Sequence, residues 1–280
     1  YLVWGFQDWN VDPYHAFPTF GLLNDAGIHT RAIIGQWAHN YPDQPDRHNG
    51  LSSGYGAEAY PNMSRMDWAI ELYNWFNYYL KDMGEEPTPI AQVQTNDGKW
   101  HAEETWPPDD KEWMKITLDE AESTGGLVSS TASASFIVSG FEEEVHISGL
   151  PTLHLSVNSP LFPCNGGQVF ATMFDDETGM RLGHATMDLR YRDGGYEANA
   201  VAPGQTYLML MEFNPLDVIL PAGHSIRVDL TESGEDYLPS PCAATGIGVS
   251  LDASSELGLP LIDRPVDDDH WFLAPPWWED

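Results

Sequence analysis

Basic residues are scarce in this chain: 12 lysines and arginines stand against 43 aspartates and glutamates, for a formal net charge of −31. A surface so poor in cations repels phosphate backbones and anionic lipid, so neither nucleic acid nor a membrane is expected as a partner. Cysteine is almost absent, with Cys164 and Cys242 the whole supply. Two cysteines make neither a disulfide framework nor a C-x-x-C metal motif, and whether they pair with each other stays open. No apolar run reaches the ~20 residues that a bilayer-spanning helix needs. No signal-peptide pattern is visible, and residue 1 already lies inside a strand-like run, which leaves room for a start upstream of Tyr1. Scattered acids with so few lysines suit work in high salt, where screening removes self-repulsion. An ordinary acidic protein kept soluble by its charge is the other reading, and the compartment, cytoplasmic or secreted, stays open.

What is present is a globular composition, 42% apolar and rich in aromatics. The first part reads as α/β. "YLVWG" is a short strand, "DPYHAFPTFGLLNDAG" a helix closed by Gly27, and "HTRAIIG" a second strand. A loop full of Pro, Gly, Asn and Asp covers residues 36 to 64. Helical spacing returns in "RMDWAIELYNWFNYYLKDMG", with Met66, Ala69, Ile70, Tyr73, Phe76, Asn77 and Leu80 on one stripe and Gly84 as the cap. The order strand, helix, strand, helix predicts the end of a parallel sheet with crossover helices. After about residue 87 the texture changes. "TLHLSV", "GQVFATMF", "HATMDLRYR", "QTYLMLMEF" and "HSIRVDL" alternate apolar and polar residues between turn signals. That pattern predicts an all-β sandwich of the jelly-roll kind. The expected division is therefore residues 1–88, α/β, and residues 89–280, β-sandwich.

Asp8 lies just past the first strand and His39 just past the second. In an open α/β sheet the carboxyl ends of the strands are where reactive groups gather. A carboxylate there can accept the Nδ1–H of an imidazole, fix its tautomer and stabilise the imidazolium formed when Nε2 takes a proton. Acid before histidine is the order found at the end of an α/β-hydrolase, whose serine comes earlier.

"GFQDWNV" followed by "IIGQWAHNYP" resembles the acid and histidine segments of the X-Pro dipeptidyl-peptidase and cocaine-esterase-like (CocE/NonD) hydrolases. "VHISGLPTLHLSV", "ATMFDDETGMRLGHATMDLRYRDGG" and "PAGHSIRVDL" are similar to that family's C-terminal jelly-roll domain. The resemblance covers nearly the whole chain, and the "D-W-N-V" form leans to the X-Pro dipeptidyl-peptidase branch. It implies the C-terminal part of an α/β-hydrolase fold followed by a jelly roll. It makes Asp8 the triad acid and His39 the general base. Asn10 and Val11 would face the acyl or proline pocket, and Trp9, Trp37 and Tyr41 would wall it. The implied substrate is a peptide with proline second, or an ester or amide of similar shape. No metal or organic cofactor is implied, and a homo-oligomer is an open possibility. A non-catalytic β-sandwich binding or assembly protein is the reading from another class.

The family's G-x-S-x-G elbow lies before the acid, so the nucleophile is expected on an upstream segment or a second chain. "GLSSG" matches the pattern with Ser52 at its centre, but loop sequence flanks it where a strand and a helix are needed. His15, His29, His48, His101 and the histidines of the β region show no ligand spacing and are expected on the surface or in packing. Asp43 and Asp46 read as a solvated turn, and "DDETG" as a hairpin turn before a metal site. Trp68 and Trp75 are expected in a core, and Trp277 and Trp278 at a docked tail.

Overall fold

The structure of the protein is a computed structural model. It describes residues 1–8, 13–37, 39, 42, 65, 67–121, 125–160, 164, 166–194, 196–234 and 238–266. Two compact units result. The first comprises Tyr1–Lys111, Asp217–Ile219 and Ile262–Asp280, and the second Glu112–Leu216 and Leu220–Leu261.

In the first unit the strands are β1 (Leu2–Gly5), β2 (Ala32–Gly35), β3 (Ala91–Gln94) and β4 (Trp100–Glu103), hydrogen-bonded in that order. β1, β2 and β3 run parallel, with Leu2 opposite Ala32 and Ala32 opposite Ala91, and β4 returns antiparallel. The helices are α1 (Pro13–Ala16), α2 (Pro18–Asp25) and α3 (Trp68–Lys81). Successive side chains of a strand face opposite ways, so this sheet builds two cores. Phe6, Ala32, Ile34, Ala91 and Val93 pack with Phe17, Phe20 and Trp106 on one side. Ile33, Trp37 and Trp100 pack on the other, with Tyr1, Val3 and Trp68 against them. Burial on both faces is why the strands read as continuous apolar runs, as parallel strands do.

Three details differ from the sequence reading. Strands at 91–94 and 100–103 extend the α/β sheet, so the compact units divide at Lys111 and not at residue 88. The texture change at "EEPTPI" marks the crossover into β3 and leaves the sheet unfinished. The first helix is two, because Pro18 has no N–H to continue α1. Gly27, with φ +71°, closes α2 as expected. In α3 the expected stripe is the wrong one: Tyr73, Phe76 and Leu80 are exposed, and Met66 lies outside the described residues. The packed face runs through Trp68, Glu71 and Trp75. Buried Glu71 accepts from Arg31 Nε (2.9 Å), from Arg65 Nη2 and from the Tyr1 hydroxyl (3.2 Å), while Trp75 meets the Tyr1 ring. A salt-bridged glutamate faces inward because two arginines compensate its charge. The helix closes on Asp82 in the left-handed region (φ 58°, ψ 42°), two residues before Gly84.

The second unit is β-rich. Its strands are β5 (Glu112–Thr117), β6 (Gly125–Val128), β7 (Ala134–Val138), β8 (Val145–Gly149), β9 (Thr152–Asn158), β10 (Gln168–Asp175), β11 (Arg181–Asp188) and β12 (Thr206–Glu212). β14 (Ile226–Thr231), β15 (Ile247–Ser250) and β16 (Glu256–Ile262) complete the set among the described residues, while β13 (Leu216–Leu220) has its middle residues Asp217–Ile219 in the first unit. One antiparallel sheet has the order β11-β10-β14-β7. The other runs through β8-β16-β9-β15-β6, with β12 on β9 and β5 on β16. The alternating segments of the sequence are β9, β10, β11, β12 and β14. Their inward positions, Leu153, Leu155, Val157, Val169, Ala171, Met173, Met209, Met211, Val228 and Leu230, are all fully buried. A disulfide joins Cys164 to Cys242, which resolves the open question of their pairing. No helix among the described residues is long and apolar enough to cross a membrane.

Candidate active site

The site begins with two glycines in register, Gly5 at the end of β1 and Gly35 at the end of β2. Neither needs glycine for its dihedral angles. Both need it for space. A Cβ on Gly5 would stand 2.0 Å from the Trp37 carbonyl oxygen, and one on Gly35 1.8 Å from the Trp37 indole. Trp37 folds back over both strand ends and is 1% exposed, so it supports the site from beneath as a core residue rather than offering a face to a ligand.

Past the glycines the two chains stay tied. Phe6 N–H donates to Gly35 O (2.9 Å) and Gln7 N–H to Trp37 O (3.1 Å). Asp8 N–H then turns back to Gly5 O (3.3 Å). Short exits from adjacent parallel strands, three residues past Gly5 and four past Gly35, bring Asp8 and His39 together: His39 Nδ1 lies 3.0 Å from Asp8 Oδ2. With Asp8 ionised, Nδ1 carries the proton and donates it. The pair is asymmetric. The Asp8 side chain is 12% exposed and the His39 ring 49%. A shielded carboxylate behind an open imidazole can orient the ring while leaving its other nitrogen to exchange protons.

Beneath the pair runs a feature that the sequence reading missed. Gln7, Gln36 and Gln94 are all buried, one at the carboxyl end of each parallel strand. Gln7 Nε2 donates to Gln36 Oε1 (3.4 Å), and Gln36 Nε2 donates to the main-chain oxygens of Gln94 (2.8 Å) and Asp217 (3.0 Å). Gln36 N–H donates to Gln94 Oε1 (3.1 Å). The signal was in the strings "GFQD", "GQWAH" and "QVQT": three amides at three strand ends.

Of the other residues predicted for the site, Trp9, Asn10, Val11 and Tyr41 lie outside the described residues, as do His48, Ser52, Asp43, Asp46, Trp277 and Trp278. His101 is not a surface or simple packing residue. It is buried with Nδ1 2.6 Å from Glu103 and Nε2 3.2 Å from Asp217. Burial alone would strip its proton, but the two carboxylates outweigh burial and hold its pKa up at about 10. Arg264 clamps Glu103 through two bonds, 2.6 and 2.7 Å.

Asp175, Glu177 and His224 bring three possible metal donors together. Their oxygens are already used: Asp175 accepts from Glu177 N–H and meets His224 Nδ1, and Glu177 accepts from Ser225 N–H and its hydroxyl. This is a pinned hairpin turn, as "DDETG" suggested. A cleft of about 860 Å³ beside α3, lined by Arg31, Glu71, Gln92 and Thr88 among others, is likewise braced from within. Arg31 there bonds both Glu71 and the Thr88 carbonyl.

Residues 129–254 match the X-Pro dipeptidyl-peptidase C-terminal non-catalytic domain. The provisionally named Xaa-Pro dipeptidyl-peptidase of Bacillus anthracis is 23% identical over 86% of this chain and 44% of its own length. Its counterpart in Rhodopirellula baltica is 22% identical over 95% and 45%. The chain thus spans less than half the length of these curated relatives. Among solved structures, an aminopeptidase from a marine sediment Thaumarchaeota archaeon superposes with a TM-score of 0.73 at 14% identity, covering 94% of this chain and 55% of that one. A CocE/NonD family hydrolase from Staphylococcus aureus gives 0.66 at 12%, with 93% and 54% covered. An α-amino acid ester hydrolase gives 0.62 at 13%, with 93% and 55% covered. Residues 129–254 are thus similar to the C-terminal non-catalytic domain of X-Pro dipeptidyl-peptidases, and over nearly all its length the chain shares its fold with a CocE/NonD family hydrolase and an α-amino acid ester hydrolase.

Proposed function

We propose that this chain is the C-terminal part of a serine hydrolase of the X-Pro dipeptidyl-peptidase type, supplying the acid Asp8 and the base His39. The observation that carries the reading is the 3.0 Å contact between His39 Nδ1 and Asp8 Oδ2 at the carboxyl edge of the parallel sheet. A serine on an upstream segment or a second chain attacks the substrate carbonyl. His39 Nε2 takes the serine proton and returns it to the leaving amine, and Asp8 holds the ring and stabilises the imidazolium. Water then releases the acyl group by the same route. The β unit, read as a jelly roll, is a scaffold without chemistry of its own. The charge of −31 supports work in high salt, where the acids stop repelling one another.

The test is turnover by the full-length protein of Ala-Pro-p-nitroanilide against simple aryl esters, with and without molar salt. Cleavage of the X-Pro amide, lost in His39→Ala, is the expected result. Fast ester and absent X-Pro cleavage would move the assignment to an ester hydrolase. Full activity in His39→Ala would overturn the site.

A further inference from the structure

We infer that Gln36, with Gln7 and Gln94, is a positioning residue that sets the Asp8–His39 geometry. This rests on the function proposed above and deepens it. Gln7 is the residue before Asp8, and Gln36 stands three residues before His39. Their side chains meet at 3.4 Å, between the two strand exits that lead to the acid and the base. Gln36 is held at both ends: its main-chain N–H by Gln94 Oε1, and its Nε2 by the Gln94 and Asp217 carbonyls. The ladder therefore fixes both exit loops to β3 and to the 217–219 segment. A buried polar network with this many satisfied members rigidifies what it touches, because any displacement leaves a buried group unpaired. Hydrophobic packing alone would hold the strand ends together. It would not fix their rotation, on which the acid–imidazole contact depends. Trp37 adds the second constraint, since the two glycines leave its indole one seat.

Positioning predicts a specific failure. Displacing a reacting group by about an ångström costs up to ~100-fold in rate. Gln7→Leu removes the longest bond of the ladder and leaves Gln36 tied to β3, so the fold survives. Gln36→Leu strips three partners at once and is the stronger but riskier variant. The experiment is proton NMR of the full-length protein, following the Nδ1–H of His39 in wild type, Gln7→Leu, Gln36→Leu and Asp8→Asn, with kcat and KM measured on the same samples.

Wild type should show a downfield Nδ1–H signal that Asp8→Asn abolishes. Gln7→Leu should broaden or lose it, with kcat down about tenfold, KM little changed and an otherwise native spectrum. A wild-type signal and wild-type kcat in Gln7→Leu, and in Gln36→Leu where it folds, would overturn the inference and leave Asp8 and His39 standing. A signal that does not depend on Asp8 in wild type would overturn the functional reading itself, and this inference with it.

Discussion

The two units differ in how far their interiors rely on paired charge. In the α/β unit buried charges are retained and paired: Arg65 with Asp67 and Glu71, Arg31 with Glu71, and His101 between Glu103 and Asp217. In the β unit the interior is mostly Leu, Val, Ile and Met braced by one disulfide; its buried carboxylates are fewer, Asp175 meeting His224 and Glu232 accepting from Ser240 N–H, and its most buried histidine is neutral. Paired charge is a poor source of stability but a good source of fixed geometry, since each ion accepts only certain partners at certain angles. Packed hydrocarbon is the reverse. The unit with the candidate chemistry spends stability on geometry, and the unit without it supplies bulk.

That contrast breaks first on activity. His39→Ala should lower kcat by ~10⁴-fold or more, the scale at which triads fail, with little change in melting temperature. Leu155→Ala, at a fully buried position of β9, should cost roughly 3 kcal/mol of stability and leave the kcat of the folded protein alone. Parallel thermal melts and single-concentration assays decide it. A β-unit substitution that lowers kcat at full occupancy of the fold would erase the division of labour.

The next largest effect belongs to the β unit alone. The Cys164–Cys242 bridge spans a sequence separation of 78. Closing a loop of that length stabilises by about 4 kcal/mol in the chain-entropy picture. Of the 11 tryptophans only Trp113 falls in the β unit, so tryptophan fluorescence reports mainly the α/β unit and far-ultraviolet dichroism mainly the strands. Cys242→Ser should move the strand transition by several degrees and the tryptophan transition much less. Equal shifts would show that the units unfold as one.

The same contrast explains what was legible in the sequence. Alternation in β12 and β14 is readable because one face of each strand is buried hydrocarbon and the other more open, whereas β10 is buried on both faces and reads through its apolar run. The contact of Asp8 with His39 is legible because Gly5 and Gly35 mark the strand ends. What failed was set by tertiary partners. The wrong stripe of α3 was chosen because Glu71 looks like a surface residue until Arg31 and Arg65 are brought to it. The pairing of β3 and β4 with β2 is not legible in the sequence because short strands carry no label for the sheet they join. The glutamine ladder escaped because a lone Gln has no periodicity. His101 was read as bland because its carboxylates, Glu103 and Asp217, lie 2 and 116 residues away.

Acid and alkali should separate the units. His101 keeps its proton in the folded chain up to about pH 10, against an unfolded value of ~6.5. A raised pKa gives stability that is complete below ~6.5 and drains as pH climbs toward 10. His184 is the opposite case. Burial first, then the charge of Arg181, depress it to about 3, and Asn214 Nδ2 donates to its bare Nε2 at 3.1 Å. Stability from the neutral ring is complete above ~6.5 and drains as pH falls toward 3. The tryptophan-reported midpoint in denaturant should therefore fall between pH 7 and 10, and the strand-reported midpoint between pH 6.5 and 4. His184→Gln, which cannot ionise, should flatten part of the acid arm. A tryptophan midpoint unchanged up to pH 10 would rule out the imidazolium clamp.

The smallest effect has the opposite sign and tests whether the α/β unit can be stabilised without touching its charges. Asp82 closes α3 at φ 58°, a conformation that costs an L-residue energy and glycine nothing. Its carboxylate also sits at the negative end of the helix dipole, which is unfavourable by a few tenths of a kcal/mol. Against these stands the greater freedom that glycine gives the unfolded chain. The balance favours Asp82→Gly by about 0.5 kcal/mol, since the left-handed cap is where glycine is preferred. The tryptophan-reported transition should rise by a degree or two, the strand transition should stay put, and turnover should not change. A rise in both transitions would mean that the helix end is felt throughout the chain. A fall would mean that the Asp82 carboxylate contributes more in place than its backbone costs.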